Sequence, residues 1–153
     1  MNPPGAKPQS VLFACGQNSI RSPMAMTLLR HLYGKNIYAG SAGVKEGEQD
    51  PFAIAAMEEI GLDITKHKPH TFEQLDEWDG LNFDLIITLS PEAHHKALEL
   101  TRTLAADVEY WSTPDPSGAD GNREQRLEAY RQVRDMLMNR IRDRFGDKAR
   151  GNE

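Results

Sequence analysis

Cys15 is the single cysteine of the chain. Arg21 follows it at the sixth position, and Ser22-Pro23 comes next, in the run Cys15-Gly16-Gln17-Asn18-Ser19-Ile20-Arg21-Ser22-Pro23. A thiolate is a strong nucleophile, a guanidinium pairs with two oxygens of a phosphate-like group, and a hydroxyl can donate to sulfur. Together these groups suit attack on a tetrahedral oxyanion. A short loop between a strand and a helix start can also turn its backbone N–H groups inward beside the free N–H groups of the helix, forming a ring that holds an anion. Cysteines in such positive potential have pKa values of roughly 3.5 to 7.5, which makes Cys15 a candidate nucleophile at neutral pH. A lone cysteine at a strand end also suits a small core residue.

The neighbouring elements favour the chemical reading. Val11 to Ala14 is an apolar run that reads as a buried strand, and Ser22-Pro23 followed by apolar residues at helical spacing predicts a helix with Ser22 as N-cap and Pro23 at its first position. Gly16 and Asn18 tolerate the tight turn between them. Gly34 closes the helix. Asn36 to Gly40 predicts a second strand running into a small, polar turn at Ser41-Ala42-Gly43. Pro51 opens a helix that Gly61 ends, and Asp63 to His70 reads as loop. Thr71 with Gln74 forms a capping box for a short helix through Trp78. Phe83 to Leu89 is apolar enough for a strand covered on both faces. Ser90-Pro91 starts a helix to about Thr101, Val108 to Trp111 makes a fourth strand, Ser112 to Asn122 a loop, and Arg123 to Phe145 a long amphipathic helix.

Strands alternating with helices imply a doubly wound α/β fold: one four-stranded parallel sheet with helices on both faces and a site at the carboxyl ends of the strands. The length of 153 residues suits one domain at 10–146, with loose tails at 1–9 and 147–153. A formal charge of −5 and the absence of a Lys/Arg run argue against a nucleic acid or an acidic membrane as main partner. One cysteine excludes an intrachain disulfide, and with no signal peptide or long apolar stretch the chain reads as cytoplasmic.

Attack on a phosphate ester requires a proton for the departing oxygen. Asp115, stiffened between Pro114 and Pro116 just past the fourth strand, is the candidate, and a partly dry pocket would keep its proton closer to neutral pH. Asp-Pro is also common in plain turns. His94 and His95 point about 100° apart on their helix, and His67 and His70 lack further donors at ligand spacing, so no metal site is read.

The chain resembles the low-molecular-weight protein tyrosine phosphatase family, to which related arsenate reductases belong. The resemblance rests on residues 15–25, Ser41-Ala42-Gly43, Pro51, Gly61 to His67, Phe83-Asp84-Leu85-Ile86 and Asp115-Pro116. It implies a flavodoxin-like fold of the phosphotyrosine phosphatase type, with Cys15 as nucleophile, Arg21 as phosphate ligand, Ser22 stabilising the sulfur, Asp115 as general acid and no cofactor. It also implies a supporting network of Asn18, Ser41 and His67, and a phosphorylated protein or small phosphomonoester as partner.

Two departures bear on substrate. Gln17 and Ile20 stand where the family commonly has Gly and often has Cys. Ser117-Gly118 and Val44-Lys45-Glu46 stand where family phosphatases carry aromatic residues that pack on a phosphotyrosine ring, each such contact being worth roughly 0.5–1.5 kcal/mol. Three functions remain open: a phosphomonoester hydrolase, an arsenate reductase that uses an external thiol, and a non-catalytic phosphate-binding module.

Overall fold

Strand β1 (Ser10–Cys15) lies inside the sheet because every residue from Val11 to Cys15 is apolar and buried. Its alternating side chains divide the interior. Val11, Phe13 and Cys15 face one core, together with Leu85, Ile87 and residues of helices α1 (Arg21–Tyr33), α2 (Pro51–Glu58) and α5 (Arg123–Phe145). Leu12 and Ala14 face the other, with Phe72 and Leu75 of α3 (Phe72–Asp79) and Ala93 and Ala97 of α4 (Pro91–Leu100). The period of two along the strand thus puts helices on both faces.

In the computed structural model, which describes residues 7–146, four parallel strands lie in the order β2 (Tyr38–Gly43), β1, β3 (Leu85–Thr88), β4 (Asp107–Tyr110). This is the predicted single-domain parallel α/β sheet. Its order reverses at β1, and the crevice at that switch opens at the carboxyl end of β1, where Cys15 stands. The 3₁₀ turn Pro116–Gly118 follows β4 at the same end.

The local signals hold in most places. Asp50, Ser90 and Asn122 cap α2, α4 and α5 by accepting backbone N–H groups, and Thr71 with Gln74 completes a capping box on α3. Ser41-Ala42-Gly43 is a correction: these residues form the end of β2, with Phe13 opposite Ser41 and Cys15 opposite Gly43, and the turn precedes β2 at Asn36. The chain is also anchored before the expected boundary at residue 9. Pro8 is buried, the Gln9 N–H donates to Asp84 (2.8 Å), and the Gln9 carbonyl accepts from the Tyr38 N–H (2.9 Å). The expected tails at 1–6 and 147–153 lie outside the described residues.

Candidate active site

Residues 16–20 connect β1 to α1, and their backbone direction is fixed from outside. The carbonyls of Cys15, Gly16 and Gln17 accept from the N–H groups of Val44, Lys45 and Gly47 at 3.2, 2.8 and 3.0 Å. In a planar trans peptide the C=O and the following N–H point in opposite directions. Tying those carbonyls to the β2–α2 loop therefore turns the amides of Gly16, Gln17 and Asn18 the other way, into the ring. Gly43 makes the close approach possible, since a Cβ there would stand 2.8 Å from the Asn18 nitrogen.

Asn18 is the hub of the loop. It is fully buried and has φ +58°, the one described non-glycine residue in the left-handed region. Its Oδ1 accepts from the His70 backbone N–H (3.0 Å) and lies 3.0 Å from His67 Nε2. A backbone N–H can only donate, so the amide oxygen must face His70 and the Nδ2 must face Ser22. That Nδ2 donates to Ser22 Oγ at 2.8 Å. Burial disfavours the charged form of His67 and pushes its pKa below the usual 6.5, and because Nε2 faces two Asn18 oxygens, the neutral ring carries its hydrogen on Nε2.

The predicted network is therefore present for Asn18 and His67 and different for Ser41. The buried Ser41 hydroxyl has no partner among the described residues, and it is the Ser41 carbonyl that meets His70 Nε2, at 2.6 Å. Sequence reading left His70 out of the network.

Ser22 departs from its expected place as well. Helix α1 begins at Arg21, with Ile20 in the cap position and no side-chain cap. Ser22 is the second helical residue, buried, with Oγ 3.0 Å from Cys15 Sγ. Its hydroxyl stands at the sulfur, as expected, while the cap position falls on Ile20, whose side chain has no acceptor to offer.

Arg21 Nη1 donates to the Thr113 carbonyl at 3.0 Å, and only 12% of the side chain is exposed. Among the described residues the Nε–Nη2 edge makes no hydrogen bond, and it is the edge that pairs with two oxygens of a tetrahedral anion. Thr113, unforeseen from sequence, orients that fork. Asp115 Oδ2 lies 3.9 Å from Arg21 Nη2, so the two meet across the mouth of the cleft. Asp115 Oδ1 accepts from the Ser117 N–H (2.9 Å) and hydroxyl (2.7 Å), which leaves Oδ2 as the oxygen facing inward.

The protonation expected for Asp115 is corrected. Desolvation is the largest influence and raises its pKa, but both Ser117 hydrogen bonds and the Arg21 charge outweigh it, so the carboxyl titrates below its ordinary 3.8. At rest Asp115 is a carboxylate.

Cys15, Gly16, Gln17, Ser19, Ile20, Arg21 and Asp115 line one cleft, together with Lys45, Glu48, Asp50, Glu92 and Ser117. Among the described residues no aromatic side chain lines it, in accord with the substitutions at 44–46 and 117–118. Residues 10–149 match the sequence profile of the family described as low molecular weight phosphotyrosine protein phosphatase. The chain belongs to this family.

The low molecular weight phosphatase family includes cysteine-dependent phosphatases and arsenate reductases, and curated relatives of this member carry the second name. The arsenate reductase of Oceanobacillus iheyensis is 34% identical over 133 residues, covering 86% of this chain and 91% of the relative. The glutaredoxin arsenate reductase of Synechocystis is 31% identical over 134 residues, covering 87% and 93%. The tyrosine phosphatase amsI of Erwinia amylovora has the same fold, with a TM-score of 0.72 at 20% identity over 92% of this chain and 93% of that one. No helix among the described residues is long and apolar enough to cross a membrane.

Proposed function

We propose that this chain is a cysteine-dependent phosphomonoester hydrolase. One observation carries the reading: a single loop offers inward amides, the free edge of Arg21 and the Cys15 sulfur to one anion, and Asp115 stands 3.9 Å from Arg21 on the far side. The phosphoryl oxygens dock on the amides and on Nε and Nη2 of Arg21. Cys15 Sγ then forms a bond to phosphorus in line with the ester oxygen, whose bond to phosphorus breaks. The ester docks as its monoanion and brings the proton with it; once bound, its charge takes up that of Arg21 and repels the nearby carboxylate, which moves the proton to Asp115 Oδ2. That proton passes to the leaving oxygen. In the second half Asp115 takes a proton from water as the water oxygen attacks phosphorus, phosphate departs, and the sulfur leaves as a thiolate that accepts the Ser22 hydrogen.

A second reading, reduction of arsenate, has the stronger support from the curated relatives, which are named for it. The same sulfur would attack arsenic with loss of water. Arsenite would then leave with the electron pair of the S–As bond as another thiol attacks Cys15. Since Cys15 is the only cysteine, that thiol must come from outside, a small thiol such as glutathione or mycothiol, and an external reductant must reopen the mixed disulfide. Hydrolysis needs only water, and this favours the first reading for a chain with one sulfur nucleophile.

The deciding experiment compares turnover of p-nitrophenyl phosphate with thiol-dependent reduction of arsenate, using the wild type and Cys15→Ser. Hydrolysis without added thiol, lost in the variant, supports the phosphatase. Arsenate reduction with a small thiol, accompanied by background ester hydrolysis, overturns it in favour of the second reading.

A further inference from the structure

The cleft beside Cys15 is uneven in charge. Glu48, Asp50, Glu92 and Asp115 bring carboxylates to it, against the cations Lys45 and Arg21. Two of these acids have structural tasks. Asp50 caps α2 and accepts the Tyr130 hydroxyl at 2.8 Å, and Asp115 Oδ1 holds the turn at Ser117. Glu92 and Glu48 remain. Among the described residues the ion pairs made by α4 are His95 with Glu99 and Lys96 with Glu73, and neither involves Glu92.

Glu92 instead lies down on the anion-binding loop. Its Oε1 would stand 3.2 Å from a Cβ placed on Gly16, so the bare backbone of Gly16 is what lets this carboxylate rest beside the residue next to Cys15. Strand order puts acids on both sides of the nucleophile: Glu48 follows β2, Glu92 follows β3 and Asp115 follows β4, with β1 and Cys15 between β2 and β3. The phosphoryl group itself meets amides and Arg21. Around them the cleft wall carries the carboxylates of Glu48 and Glu92 against one further cation, Lys45, and among the described residues it holds no aromatic ring.

Resting on the phosphatase reading, we propose that Glu92, supported by Glu48, selects substrates whose leaving group carries a positively charged ammonium. A carboxylate about 6 Å from such a cation, at a dielectric between that of protein and water, changes affinity about threefold to tenfold, and salt weakens the effect. An anionic leaving group is disfavoured by the same amount.

Three aryl phosphates that share one ring separate charge from shape: 4-(2-aminoethyl)phenyl, 4-ethylphenyl and 4-(2-carboxyethyl)phenyl phosphate. Their affinities for Cys15→Ser, measured by calorimetry at low ionic strength, do not depend on turnover. The expected order is cation above neutral above anion. Adding Glu92→Gln to that background lowers the cation-to-neutral ratio about threefold to tenfold, and about 0.5 M salt lowers it further. Equal affinities, a ratio that Glu92→Gln leaves unchanged, or failure of all three esters to bind overturns the inference. Turnover by the wild type is read separately. If the order of binding holds and none of the esters is hydrolysed, the hydrolase reading fails while the charge selection stands.

Discussion

Ser22 Oγ lies 3.0 Å from Cys15 Sγ, and to the Cys15 thiolate it can only donate. Asn18 Nδ2 donates to Ser22 Oγ at 2.8 Å, so the single serine hydrogen is not spent on Asn18 and is available to the sulfur. The hydrogen bond strengthens as negative charge returns to sulfur, when the phosphocysteine breaks down. Ser22→Ala should therefore slow the second half-reaction most. A hydrogen bond to a charged group is worth about 1.5–3 kcal/mol, equivalent to a loss of about 10- to 150-fold in kcat. Rapid-quench measurement should show a burst of p-nitrophenol approaching one per Cys15. An unchanged kcat without a burst would assign the contact to packing alone.

Arg21→Lys keeps the charge and loses the fork. The Thr113 carbonyl occupies Nη1 and leaves Nε and Nη2 for two anion oxygens, a pair that one ammonium cannot reproduce. The expected result is a fall in kcat/KM of at least about 100-fold, with weaker inhibition by phosphate and vanadate. Wild-type kcat/KM in this variant would show that Arg21 serves to hold the loop after β4.

Asp115 sets the dependence on pH. Its lowered pKa means that the free protein carries a carboxylate from pH 5 to 8, so the proton needed by the leaving oxygen must arrive with the substrate. The second ionisation of a phosphomonoester lies near pH 6. Above that value kcat/KM for phenyl phosphate should fall about tenfold per unit as pH rises, whereas below it the profile levels off. Asp115→Asn should slow alkyl and unactivated aryl esters far more than p-nitrophenyl phosphate. A flat profile to pH 8, or an equal loss for every ester, would reduce Asp115 to a turn residue.

Gly43→Ala tests the support beneath the loop. The added methyl would stand 2.8 Å from the Asn18 nitrogen and 2.7 Å from the Lys45 carbonyl oxygen, both backbone atoms that cannot swing aside. Thermal unfolding should show a loss of about 1–3 kcal/mol, and kcat should fall with it as the amides leave their positions. Unaltered stability and activity would mean that the loop tolerates displacement.

What could be read from sequence was what neighbours in sequence determine. The strand, loop and helix around Cys15 form one contiguous stretch, and the caps at Thr71 and Ser90 act over three residues. Ser41-Ala42-Gly43 looked like a turn because small residues are poor strand formers. They end a strand because the loop backbone packs against Gly43, a contact with residues more than twenty positions earlier. The Ser22 hydroxyl was expected near the Cys15 sulfur and is there, but its place as N-cap was misread, because the helix starts one residue earlier, at Arg21. The charge on Asp115 depended on how Ser117 folds back onto Oδ1, and Glu92 depended on where α4 comes down relative to Gly16.

The catalytic stretch is continuous in sequence, yet its shape comes from distant segments. Asn18 is fixed by His67, 49 residues away, and Arg21 by Thr113, 92 residues away. Such contacts close only after long intervening loops have been ordered, which makes them late and slow steps of folding. A nascent chain that has released residues 10–34 holds every atom of the nucleophile and the anion loop without their arrangement. Regain of activity during refolding should therefore coincide with the arrival of the segment after β4, and the thiol stays unarmed until the chain around it is nearly whole.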